Sequence, residues 1–277
     1  MKGPAFLLII IPCVALQLSC AEAPVLEDKI YPELFCQHFE NRNFIEAREA
    51  KKADLERGSQ IDPESPAARK IVEELRPALL AVANAEAVDL AIGLRDTYAA
   101  SSKTGNFAAA YKEYGSIVES IAGQDWKGST KPFDDNDTLN MVNLARLIDM
   151  AVALKEAAKS PGNTSLADAY REEAKDMDSL ASRDWKDKRV SSVTLNLEGE
   201  TLHRVQFAYF IDIAAKLRDA SKSHTRGKFA ESYKQHSARI ESLAAKKWKT
   251  DALTKDEEGA LCNLLTHAVR ARTNTVS

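Results

Sequence analysis

Three stretches of this chain can be laid over one another without a gap: Phe107 to Trp126, Leu166 to Trp185 and Phe229 to Trp248. They read FAAAYKEYGSIVESIAGQDW, LADAYREEAKDMDSLASRDW and FAESYKQHSARIESLAAKKW. Tyr111, Tyr170 and Tyr233 each stand fifteen residues before Trp126, Trp185 and Trp248, so the period is 59 and then 63 residues. An internal period of this length constrains the fold more than any single motif. Each copy is one supersecondary unit that buries its apolar side only against the next.

Within each stretch, apolar residues recur four before the tyrosine (Phe107, Leu166, Phe229), seven after it (Val118, Met177, Ile240) and ten after it (Ile121, Leu180, Leu243). These offsets fall on one side of an α-helix, so each stretch is an amphipathic helix, named here a B segment. Small residues three before the tyrosine (Ala108, Ala167, Ala230) and four after it (Gly115, Ala174, Ser237) let a neighbouring helix approach closely. A second helical pattern, the A segment, follows each B. Asp137 to Lys159 and Glu200 to Lys222 align with Leu139 over Leu202, Ile148 over Ile211 and Leu154 over Leu217. Pro77 to Lys103 supplies an earlier A segment and Thr254 to Thr273 a last one. Asp137 and Thr201 stand where helix caps are expected, and Ser160-Pro161-Gly162-Asn163 separates A from the next B. From Asn43, NFIEAREAKKADLERGSQ starts like Asn106-Phe107 but has neither Tyr nor Trp, and reads as a degenerate first B segment.

The expected fold is all-α, an array or elongated bundle of about three to four helical hairpins with an internal repeat of about sixty residues. The units run over 28–65 (degenerate), 66–126, 127–185 and 186–248, with a terminal helix at 254–273. Nine prolines and eleven glycines against abundant Ala, Leu, Lys and Glu favour helix over sheet.

The N-terminus carries one positive charge at Lys2, an apolar run from Ala5 to Leu18 and then Ser19-Cys20-Ala21. The run is short for a membrane span and small residues stand at −3 and −1 of a cut after Ala21, so 1–21 reads as a signal peptide and 22–277 as the mature domain. The expected location is secreted or periplasmic. Lipid anchoring at Cys20 is the lesser alternative, because Gln17-Leu18-Ser19 puts leucine outside the usual place. No later stretch reaches about 18 consecutive apolar residues, so no transmembrane span is expected. Signal removal takes one lysine and no acid from the 38 basic and 41 acidic residues, moving the formal charge from −3 to −4 and arguing against nucleic acid as a partner. Cys13 and Cys20 leave with the signal. The layout sets the remaining Cys36 and Cys262 at opposite ends of the array, which predicts that they are not bonded to each other.

No catalytic residue can be nominated: Gly-x-Ser-x-Gly, His-Glu-x-x-His and a phosphate-binding glycine loop are all absent. Tyr111, Tyr170, Tyr233, Trp126, Trp185 and Trp248 recur in every copy, which marks them as packing residues rather than a ligand-stacking row. Glu200 and His203 form a Glu-x-x-His pair of the kind di-iron bundles use, but the corresponding positions of other copies hold Asn140 and Cys262. Tyr114, Tyr209 and His236 have no counterpart in other copies and are the nominated contact residues. Asn136-Asp-Thr138 and Asn163-Thr-Ser165 are N-glycosylation sequons, of consequence in a eukaryotic source.

The helical pattern, together with Cys262-Asn-Leu-Leu-Thr-His267, resembles the c′/b562-like bundle proteins of the bacterial periplasm. That resemblance implies a haem- or metal-binding electron-transfer role with His267 as the cofactor ligand. Covalent haem needs Cys-x-x-Cys-His, which is absent. The residues themselves favour no cofactor and a non-enzymatic binding or structural scaffold whose partner is a protein or another macromolecule.

Overall fold

The structure, a computed structural model, describes residues 35–36, 42–59, 68–129, 131–133, 135–186 and 192–273, with backbone alone at 68–69, 192–198 and 266–273. The chain is all-α, with no strand among the described residues. The helices are α1 (Arg42–Ala50), α2 (Lys52–Ser59), α3 (Ala68–Ala100), α4 (Gly105–Ala122), α5 (Asn136–Ala157), α6 (Thr164–Glu172), α7 (Ala174–Ala181), α8 (Ser192–Ser223), α9 (Lys228–Ala244) and α10 (Lys255–Thr273). The A segments became α3, α5, α8 and α10. The B segments became α1–α2, α4, α6–α7 and α9.

Helices from B lie between helices from A: α4 touches α3 and α5, α6–α7 touch α5 and α8, and α9 touches α8 and α10. Helices α1–α2 pack on α3, and successive A helices also touch one another. The apolar stripe read from the sequence is the core, with Val118, Met177 and Ile240 fully buried beside Leu144, Leu154, Phe210 and Leu217.

An aspartate on an A helix sets the register of three of the pairs. Asp149 accepts hydrogen bonds from the Asn106 backbone N–H (3.1 Å), the Asn106 side chain (2.9 Å) and the Phe107 N–H (2.8 Å). Asp89 accepts the same three from Asn43 and Phe44, and Asp212 takes the N–H groups of Ser165 and Leu166. The first N–H groups of a helix have no partner within it, so a carboxylate from the neighbouring helix both satisfies them and meets the positive end of the dipole. Gly105 precedes one such start with φ of 88°, and a Cβ there would sit 2.5 Å from the Asp149 carboxylate, so only glycine fits. At the corresponding place in α10 stands Ala271, and α9 starts on Gly227 without a side-chain cap.

Several boundaries differ from the sequence reading. α3 starts nine residues before Pro77 and carries it inside, and α8 starts at Ser192, so Thr201 is a buried interior residue rather than a cap. Asp137 lies in the first turn of α5 behind Asp135, which makes no side-chain cap bond. The tryptophans do not end their helices. Trp126, Trp185 and Trp248 each lie four residues beyond, the first opening a short 3-10 helix (Trp126–Gly128) and the others in turns, where they fold back onto the core.

Cys36 and Cys262 are bonded to each other, with Cα atoms 5.2 Å apart, which corrects the expectation that they are not. That expectation treated the chain as a straight array. Phe35, which is helical, and Cys36 precede α1, and Phe35 packs on α8, where it is 4% exposed and its ring meets that of Tyr209 at 5.7 Å. Six residue steps separate Cys36 from Arg42, so the start of α1 lies within about 21 Å of a residue bonded to the last helix. The start of α1 and the last helix are thus brought near each other by one short segment of chain.

Residues 70–100 of α3 are long and apolar enough to cross a membrane by length and composition, but 56% of the apolar window is buried against the rest of the protein. This helix is not a run of consecutive apolar residues, because Asn84, Glu86 and Asp89 interrupt it. Its apolar character is largely that of a core helix, and Asp89 at its middle is tied to α1.

Candidate binding face on the A helices

The capping aspartates put the A helices in a common register. Counted from them, positions −10, −6, −3 and +1 fall within about 60° on one side of a helix. In α5 these are Leu139, Asn143, Arg146 and Met150. In α8 they are Leu202, Gln206, Tyr209 and Ile213, and in α3 Leu79, Ala83, Glu86 and Leu90. The stripe is buried along α8 and nearly so along α5. On α3 it is open: Leu79 is 49% exposed where Leu139 and Leu202 are 1% and 0% exposed. Val72, one further step along the same side, is 52% exposed, and these two line a shallow trough with Arg76, Leu80 and Ala83.

On α8 the stripe is covered by the chain itself. Gln206 donates from Nε2 to the Phe35 carbonyl at 3.0 Å, and Phe35 lies edge-on to Tyr209. Gln206 is 5% exposed and its Oε1 accepts no hydrogen bond, leaving a buried acceptor beside the docked segment. On α5, Arg146 is 8% exposed, donates to Asn143 Oδ1 and Met150 Sδ, and has its pKa pushed down to about 10 by burial. It remains a cation at neutral pH, fixed in the middle of the stripe.

The repeated aromatic residues are committed to internal contacts. Tyr111, Tyr170 and Tyr233 donate from their hydroxyls to Glu119 (2.7 Å), Asp178 (2.5 Å) and Glu241 (2.9 Å), each eight residues on. Burial, and then the hydrogen bond to the acid, push all three phenol pKa values up. Each tryptophan is followed by a lysine whose ammonium lies over the indole, at 5.4 Å for Lys127, 4.9 Å for Lys186 and 4.9 Å for Lys249. The same lysines pair with Glu46, Glu113 and Glu172 on the preceding B helix. Glu119, Asp178 and Glu241 stand at one place in the aligned stretches, Glu113 and Glu172 at another, and a lysine follows each tryptophan. The signal was present in the sequence but only the apolar and aromatic positions were read.

The nominated contact residues are scattered. Tyr209 is 1% exposed and belongs to the core, which removes it as a surface contact and explains its uniqueness: it is the residue that meets Phe35. Tyr114 is half-buried with its ring against Trp185 at 6.2 Å, a joint between neighbouring units rather than a free side chain. His236 is half-buried on α9, with Nδ1 buried and accepting no hydrogen bond. Glu200 and His203 are exposed on α8, and among the described residues no three His, Cys, Asp or Glu side chains converge as a metal site requires. His267 lies on α10, but its side chain is outside the described residues, as are the signal segment and Cys20. Asn163 is 1% exposed, donating to the Ala157 carbonyl and accepting from Lys216, so the folded chain withholds it from glycosylation. No protein family, curated protein or solved structure matches this chain.

Proposed function

We propose that this is an exported, non-enzymatic scaffold that holds a segment of another protein along the stripe of its A helices. Its architecture in this reading is an array of three hairpins on a repeat of about sixty residues, preceded by a partial unit and ended by a lone helix. Recurrence of the Asp caps, the Tyr–acid pairs and the Lys–Trp–Glu contacts supports the repeat. A disulfide suits an oxidising compartment and so supports export.

The observation that carries the reading is the change in exposure along one stripe, buried on α8 and bare at Leu79 and Val72 on α3. Contiguous exposed apolar side chains in a trough, rimmed by Glu73 and Arg76, are the signature of a contact surface rather than of a solvated one. The test is a photo-crosslinking amino acid placed at 72 or 79 in the full chain, expressed in its native export compartment, with exposed Lys112 on α4 as the control position. A discrete adduct from 72 and 79 that is absent from 112 is expected. Equal labelling at all three positions, or none, overturns the proposal.

A further inference from the structure

Phe35 and Cys36 are attached to this fold in an unusual manner. They belong to none of the packed helices of the B segments, yet Phe35 fills a place in the stripe of α8, and the next residue is covalently tied to α10. Phe35 is helical, and it docks through its side chain and its main-chain carbonyl. An aromatic side chain packs on Tyr209, and a main-chain carbonyl is read by the amide of Gln206, whose Oε1 remains available as an acceptor. On α3 the same stripe has no such cover at Leu79 and Val72.

We infer that the Phe35–Cys36 segment is a built-in occupant of the binding stripe, clasped by the Cys36–Cys262 disulfide, and that reduction of that bond by a dithiol opens the α8 portion to a peptide bearing an aromatic side chain. The inference rests on the scaffold reading above and adds what occupies the stripe and what releases it. The chemistry is thiol–disulfide exchange. A thiolate of the dithiol attacks one sulfur of the bond, giving a mixed disulfide and a free cysteine thiolate. The second thiol of the reductant then displaces the other cysteine, so the dithiol ends as a disulfide and Cys36 and Cys262 end as two thiols. Cys36 is half-buried and Cys262 is 7% exposed, which makes Cys36 the sulfur that a reductant meets first. While the bond stands, the segment competes at the effective concentration of a short tether, about millimolar or higher, so a free peptide of modest affinity is excluded. Once it is cut, the chain to α1 is the remaining tether, and among the described residues the buried Phe35 ring and the hydrogen bond from Gln206 hold the segment.

The probe is a fluorescein-labelled peptide copying residues 31–40 with Cys36→Ser, titrated with the full mature chain and read by anisotropy. Three forms of the chain are compared: oxidised, reduced with dithiothreitol, and the Phe35→Ala/Cys262→Ser variant, which weakens the internal competitor without a reductant. Binding at least about tenfold tighter to the reduced chain and to the variant than to the oxidised chain is expected. A peptide in which the residue copied from Phe35 is alanine should lose that binding. Circular dichroism checks that each form keeps its helix content, and the reduced wild-type chain serves if the variant does not fold. Absence of peptide binding to folded, reduced chain, or equal binding to oxidised and reduced forms, overturns the inference. Crosslinking from 72 and 79 needs no change in redox state, so adducts there with a failed peptide titration would sink the clasp and leave the scaffold reading intact.

Discussion

Single side chains in this protein do their work by completing the ends of helices, and Glu257 shows it most fully. Thr254 and Glu257 form a reciprocal capping box: Thr254 donates its N–H (3.0 Å) and hydroxyl (2.9 Å) to the carboxylate, and the Glu257 N–H returns to the Thr254 hydroxyl (3.3 Å). Ser242 and Lys246 from the end of α9 close on the same carboxylate, at 2.8 and 2.6 Å. Burial alone would raise the pKa of Glu257, but the Lys246 ammonium and the donors from Thr254 and Ser242 outweigh it and hold the group down at about 2, against an ordinary value of 4.5. A folded-state pKa below the unfolded one contributes stability that is whole above the unfolded value and lost as pH falls through the folded one. The melting-temperature advantage of wild type over Glu257→Gln should therefore be constant from pH 7 to about 5.5 and shrink between about pH 4.5 and 2. An advantage that does not change over that interval would show that the contacts act by shape rather than charge.

The joints between neighbouring elements combine two kinds of contact of unequal weight. At the end of α7, Trp185 is 6% exposed and packs against Tyr114 on α4, while Lys186 spans its indole and reaches Glu113 at 3.0 Å. Both ends of that ion pair stand more than two-fifths in water, where such pairs contribute about 0–1 kcal/mol. Removing a buried indole costs about 3–5 kcal/mol through lost transfer energy and the cavity left behind. Urea unfolding should show Lys186→Ala within about 1 kcal/mol of wild type and Trp185→Ala lower by about 3–5 kcal/mol, with the lysine effect fading in high salt. The lysine orders the joint and the tryptophan holds it. If the two substitutions had similar effects, the ion pair would be more shielded than its exposure indicates.

At the scale of the whole molecule the disulfide is the feature with the longest reach, joining residues 226 apart in sequence. A cross-link that closes so long a loop removes a large part of the conformational freedom of the unfolded chain, and loss of a native one typically costs about 2–5 kcal/mol. Cys36→Ser/Cys262→Ser should melt at lower temperature than the oxidised wild type and match the reduced wild type. A non-reducing peptide map of the mature protein should contain the Cys36–Cys262 cross-linked fragment. Equal melting of oxidised and reduced chains would mean that the hairpin contacts alone fix the curl of the array.

What could be read from the residues alone was what depends on contacts close in sequence or on their period. The amphipathic stripe of the B segments, the A segments beside them and the all-helical class all follow from offsets of three and four residues, because side chains at those offsets share a helix face whatever the tertiary fold. The aligned stretches also contain Glu119, Asp178 and Glu241, and Lys127, Lys186 and Lys249 directly follow them. Their roles went unread because a charge on a helix surface looks the same whether it is solvated or paired. Tertiary structure alone decided the rest. Asp89, Asp149 and Asp212 reach helix starts more than forty residues away. Tyr209 and Leu79 share one stripe in the A-helix register but differ in exposure, 1% against 49%, because Phe35 covers the first and, among the described residues, no segment covers the second. The pairing of Cys36 with Cys262 depends on how far the array curls, and curvature is the sum of many small rotations between units. No local pattern of residues encodes that sum, so the two cysteines looked distant in the sequence and meet in the fold.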